Sequence, residues 1–165
     1  MLKKWMETHP SKSIILIRFM VSAVFLSEGI QKFLYPAVRG AGRFARIGFP
    51  SPEFLASMTG VFEILGGLMI LLGLLTRCGA LFTFIIISVA IVTTKIPIGL
   101  GHGFGPFVLK ELPTYGFWSM AHEMRTDFAM WLGSLFLIIR GGGGGSVDSL
   151  FANWGRKRDQ NPGVP

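Results

Sequence analysis

A chain of 165 residues is the length of one domain, yet half of it is hydrophobic and only 15% is charged. With a mean hydropathy of +0.54 it is too apolar for an ordinary soluble domain, and four membrane spans of about 20 residues each would account for the hydrophobic fraction and leave no room for a separate soluble unit. The single cysteine, Cys78, excludes an internal disulfide framework and a thiolate metal cluster; the net charge of +7 sits beside apolar runs, which favours anionic lipid headgroups over nucleic acid as its partner.

Residues 1–13 form a basic N-terminal tail with Lys3, Lys4 and Lys12. The apolar run that follows, 14–34, is too long for a signal-peptide core, carries Arg18 and Glu28 and has no small-residue cleavage site after it, so it reads as a retained first span. A loop is expected over 35–52, where Pro36, Gly40, Gly42, Gly48, Pro50 and Pro52 break any helix and Arg39, Arg43 and Arg46 are spread between them. Ser51, Pro52 and Glu53 then read as an N-cap, a first-turn proline and an acid favoured by the helix dipole, opening a second span over 53–75. The short Thr76-Arg77 connection makes the third span, 78–96, its antiparallel neighbour, and Pro97 and Gly99 end it. The clean apolar stretch Phe128 to Ile139 is only about 18 Å of helix, short of the ~30 Å of hydrocarbon. The fourth span must therefore run over 117–140 and carry His122, Glu123, Arg125 and Asp127 with it.

The expected fold is an all-α integral membrane four-helix bundle over 14–141, followed by a Gly-rich and basic C-terminal tail over 142–165, disordered from Trp154. With the N-terminus inside, eight basic residues (Lys3, Lys4, Lys12, Arg77, Arg140, Arg156, Lys157 and Arg158) face the cytoplasm against five outside (Arg39, Arg43, Arg46, Lys95 and Lys110), which favours N-in and C-in.

Ionisable groups at membrane depth cost several kcal/mol each and normally face the bundle interior in pairs. Counted at 1.5 Å per residue, Glu63 lies ~15 Å from the outer end of its helix, near the midplane. Glu28, Lys32, Lys95, His122, Glu123 and Arg125 fall in the outer half, with Asp127 near the centre. Arg18, Ser22, Phe25, Gly29 and Lys32 share one helix face, and Glu28 precedes Lys32 by four, the favourable order for an ion pair. Gly60, Glu63 and Gly67 share another, and glycines admit a neighbouring backbone, so Glu63 is expected inside helix contacts. One carboxylate pair and a lysine would suffice to pin helix register; four carboxylates, three cations and a histidine point to a hydrated pocket lined by Glu28, Lys32, Glu63, His122, Glu123, Arg125 and Asp127. At the cytoplasmic end Arg18 either snorkels to the headgroups or forms a structural ion pair with Asp148.

Other signals carry less. The alternating glycines from Gly99 to Gly105 follow a membrane span and do not fit GxGxxG, so they read as a loop. His102 and His122 lack HxxxH or ExxH spacing, and no metal site is expected. Trp5, Tyr35, Tyr115, Phe117, Trp118 and Trp154 read as an interfacial belt, and the methionines as packing residues.

Arg18-Phe19, Glu28-Gly-Ile-Gln-Lys32-Phe33, Gly48-Phe-Pro50, Glu63-Ile-Leu-Gly66-Gly67, Leu72-Gly73-Leu-Leu-Thr76-Arg77, Glu123 to Phe128 and Ser146-Val-Asp148 follow one another in an order that resembles the DoxX family of small membrane proteins. The resemblance covers about residues 14 to 150. It implies a four-helix bundle in a bacterial inner (plasma) membrane, with members that look like subunits of a thiosulfate:quinone oxidoreductase and others that associate with redox-stress enzymes. Three functions follow from it. One is a redox-linked membrane subunit whose outer pocket accommodates a quinone or a small sulfur substrate, with Glu63 or His122 carrying the proton, Lys32 or Arg125 holding an anion, and a redox partner protein supplying electrons. The second is a non-catalytic anchor that docks a partner enzyme through the Arg39 to Arg46 loop or the basic tail. The third, a small-solute carrier, is disfavoured by the lack of an inverted repeat.

Overall fold

The computed structural model describes residues 11–160, and all of its regular structure is helical. Helices α1 (Ile14–Leu34), α2 (Ala41–Ile47), α3 (Pro52–Leu72), α4 (Thr76–Leu100), α5 (Phe117–Arg140) and α6 (Val147–Gln160) follow in chain order. Three of them, α1, α3 and α4, are long and apolar enough to cross a membrane. At 24 residues α5 has the length, about 36 Å, but carries Glu123, Arg125, Asp127 and Arg140.

The four long helices form a bundle in which α1 packs chiefly on α3, α3 on α4, and α4 on α5, with α1 touching α5. Val21, Phe25, Ile70, Ala80, Met130 and Leu137 meet in the core. Leu16, Phe19, Leu72, Ile85, Phe128 and Ile139 stay exposed on the outside. A soluble protein does not expose so many large apolar side chains along every helix; a bundle solvated by lipid does. Inside, packing replaces the hydrophobic effect, and small or hydroxylated residues make the contacts. Thr83 of α4 and Ser134 of α5 share a buried hydrogen bond of 2.9 Å. A Cβ on Gly66 would stand 3.1 Å from the Gly79 carbonyl oxygen, so the backbones of α3 and α4 nearly touch there. On the other side of α3, a Cβ on Gly29 would lie 2.9 Å from the Gly60 oxygen and 3.0 Å from the Glu63 Cβ. Both neighbours are fixed, so Gly29→Ala should push α1 off α3 and destabilise the bundle by about 1–3 kcal/mol. The shift in unfolding midpoint in detergent measures it.

Several boundaries differ from those read in the sequence. The expected loop over 35–52 contains α2, whose end is a glycine stop: Gly48 has φ 98°, its N–H bonds to Ala45 and Phe44, and the Phe49 N–H reaches back to Phe44. Ser51 makes no side-chain cap; it takes a left-handed conformation (φ 47°) while Pro52 opens α3. Gly73, at φ 70°, ends α3 earlier than expected. Neither Pro97 nor Gly99 stops the third span, because Ile91–Lys95 widens into a π-turn that relieves the ring before α4 resumes over Ile96–Leu100. Past the Gly141 stop, α6 is helical to Gln160, where disorder was expected from Trp154. The basic residues Lys3 and Lys4 lie outside the described residues.

Candidate functional site

At the end of the bundle where α1 and α4 finish and α3 and α5 begin, the four helices part around a cavity of about 530 Å³ roofed by α2. Four acids, Glu28, Glu63, Glu123 and Asp127, and four cations, Lys32, Arg39, Arg43 and Lys95, line it. Phe25, Ile86, Phe44 and Met130 supply apolar wall, and Thr59, Thr93 and Thr94 add hydroxyls.

The deepest contact joins α1 to α3. Lys32 Nζ meets Glu63 Oε2 at 2.5 Å, with the two side chains only 8% and 6% exposed, and a longer 3.4 Å bond from the same ammonium reaches the Glu28 carbonyl oxygen. Glu63 sits there because Gly60, one turn before it, lets the Phe33 ring close over the helix. A second pair, Lys95 Nζ to Asp127 Oδ2 at 3.2 Å, joins α4 to α5 and is 12% and 21% exposed. The third, Lys110 Nζ to Glu123 Oε2 at 2.7 Å, ties the α4–α5 connection to α5 at the surface. The three acid–base pairs thus step outward from the bundle interior to its rim. Glu28, Arg39 and Arg43 line the same space without a side-chain hydrogen bond or ion pair among the described residues.

Of the seven side chains expected in the pocket, the structure brings together five. His122 and Arg125 are exposed instead, and the Arg125 guanidinium donates to the His122 carbonyl oxygen at 2.6 Å. Helix geometry separates them: Glu123 and Asp127 lie one turn apart on the inward face, while His122 and Arg125 are rotated about 100° and 200° from Glu123. Neither is therefore placed to carry a proton or hold an anion inside the bundle. Sequence reasoning missed Arg39, Arg43, Thr59 and Thr93 as lining residues. The spacing of Arg39, Arg43 and Arg46, at i, i+4 and i+7, was the available sign that the loop turns helically and presents one basic face. Thr93 reaches the cavity through the π-turn, which no spacing rule announces. Among the described residues no group of three or more His, Cys, Asp or Glu side chains is arranged to hold a metal ion.

The opposite end of the bundle holds Arg18 and Asp148, both almost fully buried, and they form no direct ion pair. Arg18 spends its guanidinium on carbonyls instead: Nε donates to Ile70 at 2.8 Å, Nη2 to Leu71 at 2.6 Å and Nη1 to Gly142 at 3.2 Å. The Asp148 carboxylate accepts the Leu75 and Thr76 amides at 2.7 and 2.9 Å and the Thr76 hydroxyl at 2.8 Å. Each charge thus stands at a helix end of the opposite sign, the cation at the last carbonyls of α3 and the carboxylate at the first amides of α4. Both helix ends turn inward, so their carbonyls and amides take up the hydrogen-bonding capacity of the two side chains, while the opposite charges still attract one another across the corner.

The model of the DoxX family matches residues 13–96, just over half of the chain. The chain belongs to the DoxX family. That match takes in Arg18, Glu28, Lys32, Glu63 and Lys95 and stops before α5, which supplies Glu123 and Asp127. Among curated proteins this DoxX chain is 49% identical to Uncharacterized membrane protein Rv3486 of Mycobacterium tuberculosis over 136 residues, which is 82% of this chain and 79% of that protein. It is 34% identical over 84 residues to a Bacillus subtilis protein named "Putative oxidoreductase CatD", covering 50% of this chain and 59% of that protein. No solved structure matches.

Proposed function

We propose that this DoxX protein is the membrane subunit of an oxidoreductase system in the bacterial plasma membrane, with both termini cytoplasmic, and that its cavity takes a quinone headgroup and exchanges protons with it. One observation carries the reading: a buried Lys32–Glu63 pair opens onto a cavity of about 530 Å³, within the size range of small-molecule sites. A pair kept only to fix helix register needs no such space beside it. The name of the Bacillus subtilis relative adds support from an independent direction.

The lining fits a quinone. Lys32, Arg43 and Thr59 offer donors for its carbonyl oxygens, and Phe25, Ile86 and Met130 offer apolar surface for its ring. When bound, the quinone supplies an acceptor for two electrons and two protons, the electrons coming from a reduced sulfur compound by way of a partner protein. The chain's own part is to hold and move protons. Glu63 carries one at its carboxylate, steadied by the Lys32 ammonium, and Glu28 lines the same space free to exchange with it. Asp127 and Glu123, progressively nearer the rim, connect that site with water.

Glu63→Gln keeps the shape and the hydrogen bond but removes the proton. The charge goes with the proton, so some stability is lost as well, and the readout is the rate per molecule of folded protein in the membrane: quinone-dependent oxidation of a thiol or sulfide donor should fall by at least about a hundredfold, the scale of a general acid–base contribution. Oxidation at the wild-type rate would leave the anchor reading, in which the Arg39 to Arg46 segment or the basic tail matters and the cavity does not.

A further inference from the structure

Beside the first cavity lies a second, of about 700 Å³, between α2, the end of α4 and the segment from Val108 to Glu111. Arg39, Arg43, Arg46, Lys95 and Lys110 face it against a single acid, Glu111. The two lysines are already matched by Asp127 and Glu123, so three arginines outnumber one carboxylate and the space carries an excess of about two positive charges. Arg46 is fixed by its own chain, donating to the Ala37 and Val38 carbonyl oxygens at 3.0 and 3.2 Å. The Val108 amide bonds to the Ile47 carbonyl oxygen at 2.9 Å and holds the opposite wall against the end of α2. Arg43 is half-buried, lines both cavities and makes no hydrogen bond or ion pair among the described residues. Glu63, the acid that feels its charge, is already paired with Lys32, so this partly withdrawn guanidinium has no acid of its own, and a ligand that restores the charge balance offsets the cost of its withdrawal.

We propose that this second cavity binds a phosphate group. Guanidinium forks match the oxygens of phosphate two at a time, and several forks around one space suit an anion with more oxygens and more charge than a carboxylate has. Val38, Ile47 and Leu109 line the same space with apolar surface, so the phosphate group has two natural sources, an anionic lipid headgroup whose chains follow the apolar wall or a free phosphate from solution. Arg39 and Arg43 border both cavities, so the two readings are separated by their readouts: phosphate binding is measured without quinone and without oxidation.

The full-length protein, purified in a neutral detergent, is titrated with inorganic phosphate and separately placed in nanodiscs of phosphatidylcholine with and without phosphatidylglycerol; thermal unfolding and native mass spectrometry read binding in each. Protection by inorganic phosphate identifies the free anion, and retention of phosphatidylglycerol in preference to phosphatidylcholine identifies the headgroup. Either response should weaken about tenfold in Arg39→Gln and in Arg43→Gln, the loss expected for one charge-assisted hydrogen bond. Lys12→Gln, which removes an equal charge at the far end of the bundle, should leave it unchanged. No response to either probe, or the same response in the arginine variants as in Lys12→Gln, overturns the proposal.

Discussion

Asp148→Ala should destabilise the protein by about 3 kcal/mol or more, one of the largest losses available at a single position. The carboxylate accepts three hydrogen bonds from the start of α4, at Leu75 N, Thr76 N and Thr76 Oγ1, and its own amide bonds to the Gly73 carbonyl oxygen at 2.9 Å. Removing it strands buried donors at a turn where Leu75 is already held in a left-handed conformation, φ 47°. Arg18→Ala should lose a similar amount, since the end of α3 and the glycine segment after α5 both give up a cation. The double variant separates two pictures of this end of the bundle. Partners in an ion pair would rescue each other. Charges that each serve a helix terminus will not, and the double variant should be less stable than either single one when unfolding is followed in detergent.

Glu63→Ala should be as damaging, for a different reason. Lys32 is 8% exposed and its ammonium has Glu63 as its acid partner, so truncating the acid leaves a buried charge uncompensated at a cost of about 3–5 kcal/mol. Replacing both, as Lys32→Met with Glu63→Leu, should return most of that stability, because an apolar pair of similar volume needs no desolvation of charge. The double variant should nonetheless be inactive in quinone-dependent oxidation. Stability recovered and activity lost is the signature of a pair retained for chemistry; recovery of both would assign the pair to packing. Unfolding midpoints and oxidation rates measured on the same preparations give the answer.

The span order, the enclosure of Glu63 and the gathering of Glu28, Lys32, Glu123 and Asp127 at one end were all legible in the sequence, because a 3.6-residue period and a 1.5 Å rise fix both face and depth of each side chain. The same arithmetic misplaced His122 and Arg125. Depth alone put them in the pocket, whereas their rotation about α5 turns them outward. The roof left only the arginine spacing as a sign, for another reason: α2 is seven residues long between glycines, too short for periodicity to outweigh the breakers on either side. The Arg18 and Asp148 partners were hidden because backbone carbonyls and amides leave no trace in residue type. The glycines between Gly141 and Gly145 let the chain fold back so that Gly142 reaches Arg18, and the expected closeness of Arg18 and Asp148 hinted at this corner without naming its backbone partners.

Solvent extraction of protein purified from its native membranes, followed by mass spectrometry of the extract, tests the redox assignment most directly. Wild type should carry a quinone in an amount comparable to the protein itself, and the Lys32→Met, Glu63→Leu variant, folded and equally pure, should carry little or none. A wild-type extract free of quinone, or equal quinone in the two proteins, would contradict the assignment of the cavity between α1, α3, α4 and α5 as a quinone site.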